Sequence, residues 1–252
     1  MHARPWKMQR RSYAPAAASV VRRIVVLTQD RPESLDRTLR SLDSLRVDNN
    51  TAVDVKIQVD GGGATTGRRQ VVEISRRWRW PYGELLVHEH DRWLGISGQW
   101  YAAHVPADDD DYALIVEDDV ELSPLALEWL NTAVRRFGGT ASLAGYSLAL
   151  AYGRLGSVAA PLLVHNGDLP FLYQSGAGLP WGFMPVPTIW RRFLRRWESG
   201  SISPAPLGGH RGIASLLASW AATSPAHSTW TAHFAALCVE ESLYTLYAID
   251  CH

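Results

Sequence analysis

The sequence predicts an α/β fold with a mostly parallel central sheet and helices on both of its faces. Two observations predict it. Short β-branched runs alternate with amphipathic helical segments over the first 140 residues, and that strand–helix order builds parallel sheets. Each run also ends on a polar or charged cluster, as expected where ligands sit outside the carboxyl ends of the strands. With 252 residues and 46% apolar content, the chain can bury one sizeable core. No composition shift calls for a second one, so residues 20–252 read as a single domain. Residues 1–19 precede it as a disordered basic lead, with Arg4, Lys7, Arg10 and Arg11 and no acid.

The elements follow in order. "VVRRIVVLTQD" is a strand ending near Thr28. "DRPESLDRTLRSLDSL" is a helix with Pro32 in its first turn and Leu35, Leu39, Leu42 and Leu45 at helical spacing. "AVDVKIQVD" alternates as a second strand, "GGGATTG" turns, and "RRQVVEISRRW" forms a helix. "ELLVHEH" is the third strand, followed by a helix through "ISGQWYAAH". "YALIVEDD" is the fourth strand, and "PLALEWLNTAVRRF" a helix with Pro124 at its start. Beyond residue 140 the pattern loosens. "ASLAGYSLALAY" and "SVAAPLLVHN" read as strands, and "LPFLYQSGAGLPWGFMPVPTIW" as a Gly-, Pro- and aromatic-rich loop folded over a site. A helix covers "IWRRFLRRW". The tail "STWTAHFAALCVEESLYTLYAID" reads as helical and reaches His252 without a stop signal, the pattern of a C-terminally truncated chain.

Composition excludes several classes. Net charge is zero with a pI close to neutral, so an electrostatic nucleic-acid partner is not expected. Cys238 and Cys251 form neither a disulfide framework nor a zinc pattern. No segment reaches membrane-spanning length without charges.

The chemistry concentrates at Glu117, Asp118 and Asp119, where an apolar strand stops on three acids. Carboxylates at a strand end suit a hard divalent cation whose remaining ligands are water and phosphate oxygens. Strand alternation puts Glu117 and Asp119 on one side and Asp118 on the other. Asp119, nearest the exit, is the expected metal ligand. The run Asp108 to Asp111 precedes the strand and reads as a solvated loop at the opposite end of the sheet. "GGGATTG" lacks the Gly-Lys-Ser/Thr ending of a Walker loop, and Thr66 stands where a dinucleotide fingerprint has its third glycine.

Four stretches, in this order, resemble the family of N-acetylglucosaminyltransferase I, within the family 13-like and family 2-like glycosyltransferases of the GT-A (nucleotide-diphospho-sugar transferase) fold. "LTQDRPESLDRTLRSL" resembles the first strand and helix, where Arg31 matches an arginine that meets the donor phosphates. "IQVDGG" resembles the second strand end, where Asp60 matches an aspartate that reads uracil. "HDRWLGISGQ" places His90 in a histidine position upstream of the metal motif, and "IVEDDVELSP" resembles the Glu-Asp-Asp metal motif itself. The resemblance covers residues 22–137. It implies a nucleotide-sugar-binding half over 20–140 and an acceptor-side half over 141–252. It also implies donor contacts from Arg31, Asp60, His90, Glu117 and Asp118, with Mn2+ or Mg2+ on Asp119.

Beyond 140, "LPWGFMPVPTIW" resembles an acceptor-side Trp-Gly loop, in which Trp181 would stack on a sugar. The family's aspartate base is matched most directly by Gln174, which cannot take a proton. Asp168 is the nearest upstream acid and the substitute base, with Glu240 and Glu241 behind it. The expected activity is metal-dependent transfer of a sugar, GlcNAc first, from a UDP-sugar to a glycan or glycoprotein acceptor. A catalytically silent donor- or glycan-binding protein is the alternative, and a nucleotidyltransferase or phosphohydrolase using the same acids a third. The resemblance implies a secretory-pathway lumen, although the chain shows no anchor.

Overall fold

The computed structural model describes residues 20–48, 51–148, 162–165, 170–175, 181–202 and 230–248, with backbone alone for 162–165 and 170–175. The basic lead and Asp168 lie outside these residues. The elements are β1 (Val21–Thr28), α1 (Pro32–Asp43), β2 (Asp54–Val59), α2 (Thr66–Arg77), β3 (Leu85–Glu89), α3 (Gly95–Ala103), β4 (Tyr112–Glu117), α4 (Ala126–Phe137) and β5 (Leu143–Ser147). They continue as β6 (Leu162–His165), β7 (Pro170–Ser175), β8 (Phe183–Pro185), α5 (Pro187–Glu198), α6 (Trp230–Glu240) and β9 (Tyr244–Ala248).

One sheet runs in the order β3-β2-β1-β4-β8-β5-β9-β7-β6. The β3-β2-β1-β4 half is parallel throughout. β8 lies antiparallel between β4 and β5, β9 is parallel to β5, and β7 and β6 complete the sheet antiparallel. The expected mostly parallel α/β core is therefore present, with a mixed far half.

Strand alternation divides the core into two layers. Ile24, Val26, Leu114 and Val116 face α1, α2 and α4 on one side. Val25, Leu27, Ala113 and Ile115 face α3, α5 and α6 on the other, where Trp100, Trp190 and Trp230 are buried. Helix α1 shows what decides such an element. Pro32 opens it, Glu33 sits in its first turn and Arg40 in its last. Those charge placements contribute about 0.5 kcal/mol each, whereas burying each of Leu35, Leu39 and Leu42 contributes about 2 kcal/mol. The apolar stripe dominates.

Two expectations change. The Gly- and Pro-rich stretch 169–190 contains β7, β8 and the start of α5 instead of one long loop. The tail is a helix only to Glu240 and then a strand. Leu243 donates to the Cys238 carbonyl (2.8 Å), Ser242 to that of Val239 (3.4 Å), and Ser242 takes a left-handed φ of 53°. This is a Schellman ending with serine in the place glycine usually takes. The following "YTLYA" pairs with β5 on one side and β7 on the other, so ladder hydrogen bonds override the local helical pattern. Among the described residues, no helix is long and apolar enough to cross a membrane.

Candidate active site

The chain order reverses across β1: β2 follows it in sequence on one side, and β4 flanks it on the other. A crevice outside the carboxyl ends of such a pair is where α/β sheets place ligands. Five polar residues meet there. Thr28, the last residue of β1, donates its hydroxyl to Asp118 Oδ2 (2.6 Å). Arg31, at the entry to α1, donates one guanidinium nitrogen to Asp118 Oδ1 and the other to Asp119 Oδ2 (2.9 Å). Thr38 on α1 donates to the Asp118 carbonyl (2.8 Å). Asp118 is fully buried, while the Asp119 side chain is 43% exposed.

Burial pushes the Asp118 carboxyl above its ordinary range, opposed by the Thr28 bond and by Arg31. Glu117 faces the other layer, where its carboxylate accepts from Trp100 Nε1 (3.1 Å). Burial raises its pKa to about 7 against the pull of that bond. Alternation thus separates Glu117 from Asp118 as expected. Because β4 ends at Glu117, Asp119 has left the strand and shares Arg31 with Asp118 instead of siding with Glu117.

The ends of β2 and β3 form a second cluster. Asp60 is fully buried. Its Oδ1 accepts from the backbone N–H of Gly61 (2.8 Å) and Leu94 (2.8 Å), and its Oδ2 from that of Gly95 (2.9 Å). Both carboxylate oxygens are committed to main chain, so Asp60 caps the start of α3, whose own N-cap Leu94 makes no side-chain bond. That geometry differs from an acid presented to a base edge. Arg68 donates to the Asp60 carbonyl (3.0 Å) and pairs with Glu89 (3.2 Å). His90 stands just past β3, its ring edge-on to His88 with centroids 4.5 Å apart. Its Nε2 is buried without a hydrogen-bond partner. Burial, then His88 and Lys56, hold its pKa below the ordinary value.

On the far side of β4, Phe183 pairs with Ile115 in antiparallel register. Trp181, two residues before Phe183 and 42% exposed, therefore stands level with Glu117 at the carboxyl end. β7 runs antiparallel to β9, so Pro170, two residues after Asp168, is at this end of the sheet and Gln174 near the other. Three strands separate β7 from β4. Glu240 and Glu241 lie at the opposite end, where α6 turns into β9, and pair with Arg196 and Arg192. They do not reach the site.

The acidic run behaves only partly as a solvated loop. Asp108, Asp109 and Asp110 are exposed, but Asp111 is nearly buried and accepts from the Ala107 N–H (2.8 Å). A concavity of about 400 Å3 lined by Arg23, Lys56, Leu86 and Val105 lies at the amino ends of the strands, away from the carboxylates.

Sequence reading missed Thr28, Thr38, Arg68 and Trp100. A hydroxyl closing an otherwise apolar strand was the available signal for Thr28; the others show none. Among the described residues, no group of three or more His, Cys, Asp or Glu side chains could hold a metal ion unaided. The donor set does fit the mode in which Mg2+ or Mn2+ takes one or two carboxylates and completes its shell with water and substrate phosphates. Asp119 offers the half-exposed carboxylate for it.

No protein-family model and no curated protein sequence matches the chain. Among solved structures, the mannosyltransferase PcManGT from Pyrobaculum calidifontis, in complex with GDP-Man and Mn2+, is 13% identical at a TM-score of 0.48 over 84% of this chain and 54% of that one. Mouse xyloside xylosyltransferase 1 in its apo form is 10% identical at 0.47, over 92% and 85%. The galactosyltransferase LgtC with donor and acceptor sugar analogs is 13% identical at 0.44, over 90% and 73%. The chain thus spans about half the length of the mannosyltransferase. At these values the likenesses support no assignment of substrate, metal or chemistry, which must come from the residues.

Proposed function

We propose that this chain is a glycosyltransferase of the GT-A type that takes a nucleoside-diphosphate sugar together with a divalent cation. UDP-GlcNAc is the first donor to test, and the acceptor is a glycan or glycoprotein. The observation that carries the reading is the convergence of Asp118, Asp119 and Arg31 at the β1/β4 switch point. Asp118 and Asp119 share the single guanidinium of Arg31, and that excess of carboxylate over guanidinium disfavours a bare diphosphate and favours one that arrives with a cation. Bound Mn2+ or Mg2+ would supply Lewis-acid stabilisation of the charge that builds on a departing nucleoside diphosphate.

The chain's own residues divide the remaining work. Thr28 and Thr38 fix Asp118, and Asp118 fixes the fork of Arg31, whose N–H groups suit phosphate oxygens. Asp60 serves the donor by holding the segment before α3 in place. His90, whose pKa burial, His88 and Lys56 hold below its ordinary value, and Glu117 offer hydrogen bonds to the donor. Trp181 offers a flat face to an acceptor sugar. Asp168 takes the proton of the acceptor hydroxyl.

Calorimetric titration tests the donor site. UDP and UDP-GlcNAc are expected to bind wild type with Mn2+, and Asp119→Ala to weaken that binding at least tenfold. Mn2+ alone is expected to bind weakly, with UDP strengthening Mn2+ by the same factor that Mn2+ strengthens UDP. Folded wild-type protein that gives no heat with UDP, UDP-GlcNAc or other nucleotide sugars sinks the reading. Release of UMP in place of UDP would reassign the site to chemistry at phosphorus, and donor binding without any transfer would leave a silent binding protein. For the base, Asp168→Asn is expected to cut turnover by about a hundredfold or more with UDP affinity unchanged. Unaltered turnover removes Asp168 from the mechanism.

A further inference from the structure

The chain between β4 and α4, which carries Asp118 and Asp119, is laced along one side of α1. Thr38 Oγ1 donates to the Asp118 carbonyl (2.8 Å). One turn on, the Ser41 hydroxyl donates to the Thr38 carbonyl (2.6 Å) and accepts from the backbone N–H of Leu122 (3.0 Å). Just past the helix, the Arg46 N–H donates to the Pro124 carbonyl (2.9 Å), and the Val120 N–H closes a turn onto the Glu117 carbonyl (3.1 Å). Residues three apart share a face of a helix. Two hydroxyls on one rigid element therefore hold both ends of a span whose middle is Asp119, Val120 and Glu121.

That backbone is what places Asp119. The Asp119 side chain and its partner Arg31 are both about half exposed, and an ion pair between exposed side chains fixes little. Arg37 and Glu121, 3.7 Å apart and more than half exposed, add little for the same reason. The hydroxyl anchors differ. Thr38 is fully buried and Leu122 nearly so, so the Leu122 N–H relies on Ser41 instead of water as its acceptor. A carboxylate carried on a span fixed at both ends meets a cation without first having to be ordered, and preorganisation of that kind raises affinity.

We propose that Ser41 is a positioning residue for the cation-binding carboxylate: its hydroxyl pins the exit of the Asp119 span to α1, as Thr38 pins its entry. The role rests on the donor reading above and adds to it the element that sets how strongly the donor depends on the cation. Ser41 acts through the Leu122 backbone and touches neither donor nor cation. Its loss loosens Asp119, whereas Arg31, anchored on the buried Asp118, keeps its hold on the diphosphate.

The test measures UDP affinity by calorimetry, in Mn2+ and in EDTA, on wild type, Ser41→Ala and Ser41→Thr, with circular dichroism to confirm folding. Alanine is the strongest helix former, so Ser41→Ala leaves α1 intact. One ordinary hydrogen bond corresponds to about fivefold in a binding constant. Ser41→Ala is expected to weaken UDP by that factor in Mn2+ and to leave UDP in EDTA unchanged, while Ser41→Thr, which keeps the hydroxyl, retains wild-type affinity in both. In the metal-free protein, hydrogen exchange at the Leu122 amide is expected to be faster in Ser41→Ala than in wild type or Ser41→Thr. Unchanged exchange there would mean that the span is held without Ser41, which overturns the role by itself. If Ser41→Ala binds UDP in Mn2+ as well as wild type does, the role falls while the donor site stands. Equal losses in Mn2+ and EDTA would make Ser41 a general support of the site and overturn it as well. A wild type whose UDP binding Mn2+ does not strengthen overturns the metal-dependent donor reading and the role of Ser41 together.

Discussion

As pH rises from about 4.5 to above 7, the ligand-free protein is expected to lose about 3 kcal/mol of stability, and Glu117→Gln to remove that loss. Burial lifts the Glu117 pKa from 4.5 to about 7. At about 1.4 kcal/mol per pH unit, that difference sets the size of the effect. The sign follows from proton binding. Between the two values the folded protein holds a proton that the unfolded chain has released, so stability is full below 4.5 and drains away as pH passes through 7. Asp118, also raised, adds to the slope in the same direction. A glutamine at 117 keeps an oxygen for Trp100 Nε1 and carries no charge to desolvate. Urea unfolding at pH 5 and pH 8 measures both proteins. A wild type as stable at pH 8 as at pH 5 would mean that Glu117 is solvated when ionised.

Asp60→Ala carries the second large effect. It strands the backbone N–H groups of Gly61, Leu94 and Gly95, whose acceptor is a fully buried carboxylate. Three charge-assisted bonds at about 1.5 kcal/mol each give a loss of roughly 4.5 kcal/mol. Asp60→Asn keeps one acceptor oxygen and is expected to fall between. Were Asp60 only a turn former ahead of the glycines, its removal would cost about 1 kcal/mol. Urea unfolding separates these two sizes, and hydrogen exchange at Leu94 and Gly95 locates the loss. A change near 1 kcal/mol without faster exchange there would refute the capping role.

These two residues show where sequence reading stops. That Asp60 follows a strand and that Glu117 opens an acidic triplet are visible in the linear pattern. That Asp60 binds main chain 34 and 35 positions away is not, since no local period encodes a partner at that distance. Thr28 and Asp118 are 90 residues apart and become neighbours only because β1 and β4 pair in register. Glu240 and Glu241 looked available as bases, but the direction of α6 carries them to the wrong end of the sheet. The tail failed for the opposite reason. Its helical pattern is real as far as Glu240, and the empty place between β5 and β7 then draws "YTLYA" into the sheet.

The sequence alone determined the alternation of strands and helices, the amphipathic faces and the acids that close β4, because hydrophobic periodicity acts over one helical turn or a few strand residues. Only the tertiary structure decided that Arg31 spans Asp118 and Asp119, that Asp60 caps α3 and that Trp93 packs against Gly62 and Gly95. Those contacts depend on strand order and register, and the chain fixes these when distant backbones satisfy one another's hydrogen bonds while sharing a buried core.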